Sequence, residues 1–176
     1  MKIFGLLLSV FFISCFSNEI KEKKIEEKKV DNTFLSRDNY SLRYLTTWRI
    51  DSSDIDFDID NYFTFDSPDQ SFITFFIFNT SIDAKENLEE QINAHLKRTF
   101  KNGAVEYFSK WGVNYNGSGA IIKGKAMGIF KSELEIFCYS TPEASFISVS
   151  QINESDKAKD SRGIELIKNT FKLKSK

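Results

Sequence analysis

Polar and apolar residues alternate along much of the chain from residue 40 onward. In YSLRYLTTWRI, Tyr40–Ile50, the residues Tyr40, Leu42 and Tyr44 fall on one side and Ser41 and Arg43 on the other. That period of two predicts a half-buried strand, with Trp48 and Ile50 following after a turn. DIDFDID, Asp54–Asp60, alternates throughout and predicts a strand with Ile55, Phe57 and Ile59 facing inward. NYFTFDSPDQ continues as a strand closed by a turn at Ser67–Gln70. SFITFFIFN, Ser71–Asn79, is a continuous apolar run between turns, the pattern of a central strand covered on both faces.

The period then changes. Leu88, Ile92, Leu96 and Phe100 recur every four residues and predict an amphipathic helix. Asp83 and Glu86 in front of it have the spacing of a capping box, and Gly103 is placed as a C-terminal stop. AVEYFSKWGVNYN reads as a strand, with a hairpin turn at NGSG, Asn116–Gly119, and AIIKGKAMGIF, Ala120–Phe130, pairing back. ELEIFCYS, Glu133–Ser140, and SFISVSQI, Ser145–Ile152, flank a second turn at Thr141–Ala144. A closing helix from about Ser155 carries Ile164, Ile167 and Phe171. Strands, a helix, four strands and a helix predict an α+β fold, an antiparallel sheet with helices packed on it.

The first 32 residues have another character. Ile3–Ile13 is an apolar run preceded by Lys2, within the span of a secretory h-region and too short to cross a bilayer as a stable helix. Ser17–Asn32 is rich in Lys and Glu, and its apolar residues Ile20, Ile25 and Val30 match neither a helix stripe nor a strand. Such a segment buries too little apolar surface to offset its ordering entropy. It reads as a spacer, either a coil spanning about 25 Å or a short solvated helix held by Glu–Lys pairs.

The leader ends in Ser14-Cys15. Charge, apolar run, small residue and Cys in that order resemble the lipobox of bacterial lipoproteins, with Phe12 where an aliphatic residue is usual. The resemblance implies cleavage before Cys15, a diacylglycerol thioether on its sulfur and an N-acyl group. Two acyl chains anchor stably to a lipid bilayer where one is marginal. By the same resemblance, Phe16 after Cys15, where Asp would be an inner-membrane retention signal, points to the outer membrane of a bacterial envelope. The expected organisation is a signal peptide at 1–14, an acylated Cys15 with a charged tether at 15–37, and a folded domain at 38–176.

Within the domain, Tyr40-Ser-Leu-Arg-Tyr44 followed by Trp48-Arg-Ile50 resembles the opening strand of the PsbP-like family, Leu45 standing where that pattern has Pro. Phe65-Asp-Ser-Pro68 resembles its next strand and turn, and the closing stretch Asn169-Thr-Phe-Lys-Leu173 completes a likeness over residues 38–173. That family includes small bacterial lipoproteins of the DcrB type. The resemblance implies an accessory or binding role, with no shared catalytic residues to carry over.

Composition narrows the chemistry. The 176 residues contain 18 Phe, ample for one core, and a formal charge of -1. Loss of Lys2 with the leader takes that charge to -2. Neither value suits nucleic-acid binding, which calls for a basic stripe. With Cys15 acylated, Cys138 is alone, so no intramolecular disulfide forms. Cys138 sits on a strand with Ile136 and Ser140 and reads as a small buried hydrophobe, and His95, the one His, as a helix-surface residue without partners to share a metal.

Asp54, Asp56, Asp58 and Asp60 have the spacing that opens a calcium loop, but Ile59 and Phe65 stand where Gly and a bidentate Glu belong, so a solvated face is the simpler reading. Gly117, Gly119, Gly124 and Gly128 do not form a P-loop and read as turns and strand bends. Tyr107, Phe108, Trp111 and Tyr115 are either groove or core. No catalytic residue, cofactor or metal is expected. The favoured function is a non-catalytic, membrane-tethered module for an envelope protein or small ligand. The alternative, an envelope hydrolase, requires carboxylates facing each other roughly 5–9 Å apart, and Glu133 and Glu135 read instead as a solvated strand face.

Overall fold

Ring and aliphatic side chains on alternate positions of one strand set the layers of this molecule. In the computed structural model, which describes residues 31–174, that strand is β5 (Phe72–Phe78). Its Ile73, Phe75 and Ile77 enter one hydrophobic cluster, while Phe72, Phe76 and Phe78 pack against a second on the other face. The preceding strands are β1 (Asn32–Ser36), β2 (Tyr40–Leu45), β3 (Arg49–Asp51) and β4 (Tyr62–Asp66). After β5 come α1 (Ala84–Arg98), β6 (Ala104–Trp111), β7 (Tyr115–Ala126), β8 (Phe130–Ser140) and β9 (Ser145–Asn153). The chain closes with α2 (Lys157–Thr170) and β10 (Lys172–Leu173). Cys15, the apolar leader and most of the charged spacer lie outside the described residues.

Seven strands form one antiparallel sheet in the order β3-β4-β5-β9-β8-β7-β6, and β1-β2-β10 form a smaller one. α1 covers one face of the large sheet through Leu88 and Ile92, with Phe100 beyond its end. α2 and the small sheet cover the other through Ile164, Ile167, Tyr40 and Leu42. The α+β architecture expected from the sequence is the one observed.

The long-period helix begins as its sequence dictates. Asp83 Oδ1 accepts from the amides of Lys85 and Glu86, both at 3.0 Å, which satisfies two of the donors a helix start leaves open. Its end differs from expectation. α1 stops at Arg98, and Asn102, not Gly103, takes the left-handed conformation at φ 63°. An Asn tolerates that region because its short side chain bonds locally.

Three other expectations need correction. Residues 54–60 form turns, and Ile55 is 97% exposed. Asp54 Oδ1 accepts from the Asp56 amide and Asp58 Oδ1 from the Asp60 amide, each at 3.0 Å. Aspartates that bond their own backbone two residues on compete with a sheet ladder, and here they defeat it. Asn32–Ser36, expected in the spacer, pairs with β2. The β6–β7 turn lies between Trp111 and Tyr115 rather than at Asn116–Gly119. Gly112 adopts φ 55° there, and a Cβ on it would collide with the Lys168 carbonyl oxygen. The glycines of the expected turn lie inside β7, where the Phe108 ring crosses Gly119 at 2.5 Å from where a Cβ would stand.

Candidate functional site

Each residue singled out within the described part of the chain has a definite place. Cys15 lies outside the described residues. Asp54 and Asp58 spend their oxygens on local bonds: Asp54 Oδ2 accepts from Tyr62 Oη at 2.8 Å and Asp58 Oδ2 from Asn61 Nδ2 at 2.7 Å. These bonds, together with the two backbone ones, hold both carboxyls below the ordinary carboxylate range. Asp60 is engaged by Arg37 Nε at 2.7 Å. Among the described residues, no group of three or more His, Cys, Asp or Glu is placed to hold a metal ion.

His95 is half-buried near the end of α1, and burial, then the Arg98 charge, lowers its pKa below 6.5. Cys138 is fully buried on the α1 face of β8, and burial pushes its thiol from 9.0 up to about 12. Trp111 is core, Tyr115 and Phe108 pack against that core, and Tyr107 is exposed, so the four aromatics do not form one groove.

Glu133 and Glu135 differ from the reading as a solvated face. They lie on the side of β8 under α2, where Lys157 Nζ meets Glu133 at 2.8 Å and Lys168 Nζ meets Glu135 at 3.0 Å. Each carboxylate is neutralised by a helix lysine, which leaves no free acid–base pair at this place.

A large concavity lies elsewhere. A groove of about 990 Å³ runs between the α1–β6 turn and the β7–β8 hairpin. Its shape follows from local sequence. Ile122, Gly124 and Ala126 alternate along β7, Ile122 and Ala126 buried under the α1 layer, while Lys123 and Lys125 occupy the intervening positions of the other face. The hairpin turns at Met127 and Gly128, with φ 52° and 78°. The Met127 amide donates to the Thr99 carbonyl at 2.9 Å, which pins the turn to the end of α1.

Five cations line this groove: Arg98, Lys101, Lys123, Lys125 and Lys131. Its carboxylates are Glu133, already paired with Lys157, and Glu154, 3.5 Å from Lys131. Lys123 reaches Glu106 at 2.7 Å. Arg98, Lys101 and Lys125 have no ion pair among the described residues. At the hairpin tip, Met127, Ile129 and Phe130 are 78%, 71% and 60% exposed.

Sequence reasoning missed this site. It took Ala120–Phe130 as one strand, and the cations arrive from a helix end, a loop and two strands. The visible signal was lysine on both sides of the apolar stretch Met127–Phe130.

No family model and no curated protein matches the chain. Solved structures do. The solution structure of cyanobacterial PsbP (CyanoP) from Synechocystis sp. PCC 6803 aligns with a TM-score of 0.51 at 7% identity, over 82% of this chain and 94% of that one. LpqN, involved in cell envelope biogenesis of Mycobacterium tuberculosis, aligns with a TM-score of 0.51 at 9% identity, over 81% and 90%. At such identities the likeness is one of fold. The chain has the α+β architecture of PsbP-like structures.

Proposed function

We propose that the chain is a lipid-anchored protein of the bacterial envelope whose folded part is a non-catalytic accessory module, binding an envelope protein or a small ligand. The observation that carries this reading is the order Lys2, Ile3–Ile13, Ser14, Cys15. Acylation of Cys15 would hold the domain at one leaflet and raise its effective concentration toward anything else at that surface. Phe16 favours the outer membrane by the same resemblance. Among the described residues no helix is long and apolar enough to cross a membrane. The involvement of LpqN in cell envelope biogenesis is in keeping with this setting. A carboxylate hydrolase finds less support, because Glu133 and Glu135 are each held by a lysine.

Mass spectrometry of the protein purified from membranes tests the anchor. The expected mature chain begins at Cys15 and carries diacylglycerol and an acyl group. Cys15→Ala is expected to lose both, and to leave the membrane fraction, with unchanged far-ultraviolet circular dichroism. A mature N-terminus that is bare and unlipidated in the wild type overturns the reading.

A further inference from the structure

We propose that the β7–β8 hairpin is itself a membrane-docking element, its apolar tip entering the headgroup region of an anionic bilayer while the cations behind it meet lipid phosphates. The apolar part is compact. Met127, Ile129 and Phe130 are separated in the chain only by Gly128, and each is more than half exposed. Monomeric proteins seldom leave large apolar residues grouped at an apex unless something covers them. The turn adds a second sign. Met127 sits at φ 52°, where Gly or Asn would be less strained. Keeping a long apolar side chain there, outward and exposed, implies that the side chain is used.

The charge is ordered by depth. Lys125 and Lys131 are opposite one another in the ladder, one rung behind Ala126 and Phe130, and Lys123 lies two residues further back. At about 3.4 Å per strand residue, that places the backbones of these lysines roughly 3–10 Å behind the Ala126–Phe130 rung, with their side chains able to reach the same height. An apolar surface lodged about 5–10 Å into the boundary between headgroups and acyl chains leaves groups at that height among phosphates. Arg98 and Lys101 bring further positive charge from the α1 side of the groove. Lys123 and Lys131 keep their surface ion pairs with Glu106 and Glu154, so the excess positive charge at this end of the molecule comes from Arg98, Lys101 and Lys125. A nucleic acid would meet the cations and leave the apolar tip in water. An anionic bilayer satisfies both parts.

This inference does not use Cys15, and its test reads the hairpin alone. The full chain with Cys15→Ser and Ile129→Cys, carrying a polarity-sensitive fluorophore at residue 129, is reconstituted into vesicles of phosphatidylcholine or of phosphatidylcholine with an equal amount of phosphatidylglycerol. Buried Cys138 stays unlabelled in the native fold. The expected result is blue-shifted emission, quenched by brominated lipid, in the anionic vesicles only. A probe at Val113→Cys, on the exposed β6–β7 turn, stays water-like in both. Lys101→Glu with Lys125→Glu lowers the vesicle partition constant by at least about tenfold, since each cation near such a surface contributes about fivefold.

A probe at residue 129 that stays water-like with anionic lipid overturns the proposal, as does an equal shift in pure phosphatidylcholine. A shift that grows with the protein-to-lipid ratio shows a second copy covering the tip and also overturns it. Retained quenching after the lysine substitutions removes the role given to the cations.

Discussion

Phe171, just past the end of α2, is where side chains from β2, β5 and β9 converge. Its ring stacks on Phe75 at 4.7 Å and lies 4.8 Å from Phe146 and 6.1 Å from Tyr40. Such contacts come from close packing, and close packing also reverses ordinary rules about single residues. Gly163 is an instance. In the middle of a helix, Ala usually stabilises over Gly by about 1 kcal/mol. At Gly163 a Cβ would stand 2.5 Å from two carbons of the buried Trp48 indole. Overpacking of that kind costs roughly 1–3 kcal/mol. Gly163→Ala is therefore expected to lower the urea midpoint without changing the m-value. A raised midpoint would mean that Trp48 has room to shift.

At the scale of elements, α2 is docked by apolar residues and by charge. Lys168 Nζ sits 3.0 Å from Glu135 Oε2 and 3.3 Å from Glu165 Oε1, while Glu135 Oε1 is buried without a hydrogen-bond partner. Lys168→Met strands that carboxylate beneath the helix. Breaking a fully buried pair costs about 3–5 kcal/mol. These side chains keep 11% and 19% exposure, so a loss of roughly 1–3 kcal/mol is expected. Glu135→Leu combined with Lys168→Met should recover most of it, because apolar replacement of both partners restores packing. Urea unfolding of the two variants decides the matter, and a double variant as unstable as the single one contradicts this account.

The legibility of the elements has a related logic. β5, α1 and the turn at Thr141–Ala144 were readable because burial and local bonding agree there. Residues 54–60 were not, because aspartate side chains captured the backbone while the alternation persisted. Gly117 and Gly119 misled because their reason is tertiary: the Cys138 carbonyl and the Phe108 ring occupy the space of a side chain.

For the whole molecule, one sheet serves two cores. On β8, Phe137 belongs to the cluster under α2, and its neighbours Ile136 and Cys138 to the cluster under α1. A slip of one residue would exchange the two faces, so register and both layers are specified together. The basic groove belongs to this scale as well. Residues 98–102 and 123–133 come together only when α1 is laid over β7 and β8, which is why no local pattern disclosed it.

Shared strands have a thermodynamic consequence: neither layer can leave without exposing the back of the other. Trp48 and Trp111 report the α2 side, and Cys138 reports the α1 side. Burial holds the Cys138 thiol near 12, so at mildly alkaline pH it neither ionises nor reacts until its layer opens. In urea, tryptophan fluorescence and thiol labelling by a chromogenic disulfide are expected to give one midpoint, as for a cooperative domain. Cys15→Ser leaves Cys138 as the sole thiol in that experiment. Labelling that precedes the fluorescence change would show α1 lifting off a sheet that survives without it, and two layers with separate stabilities.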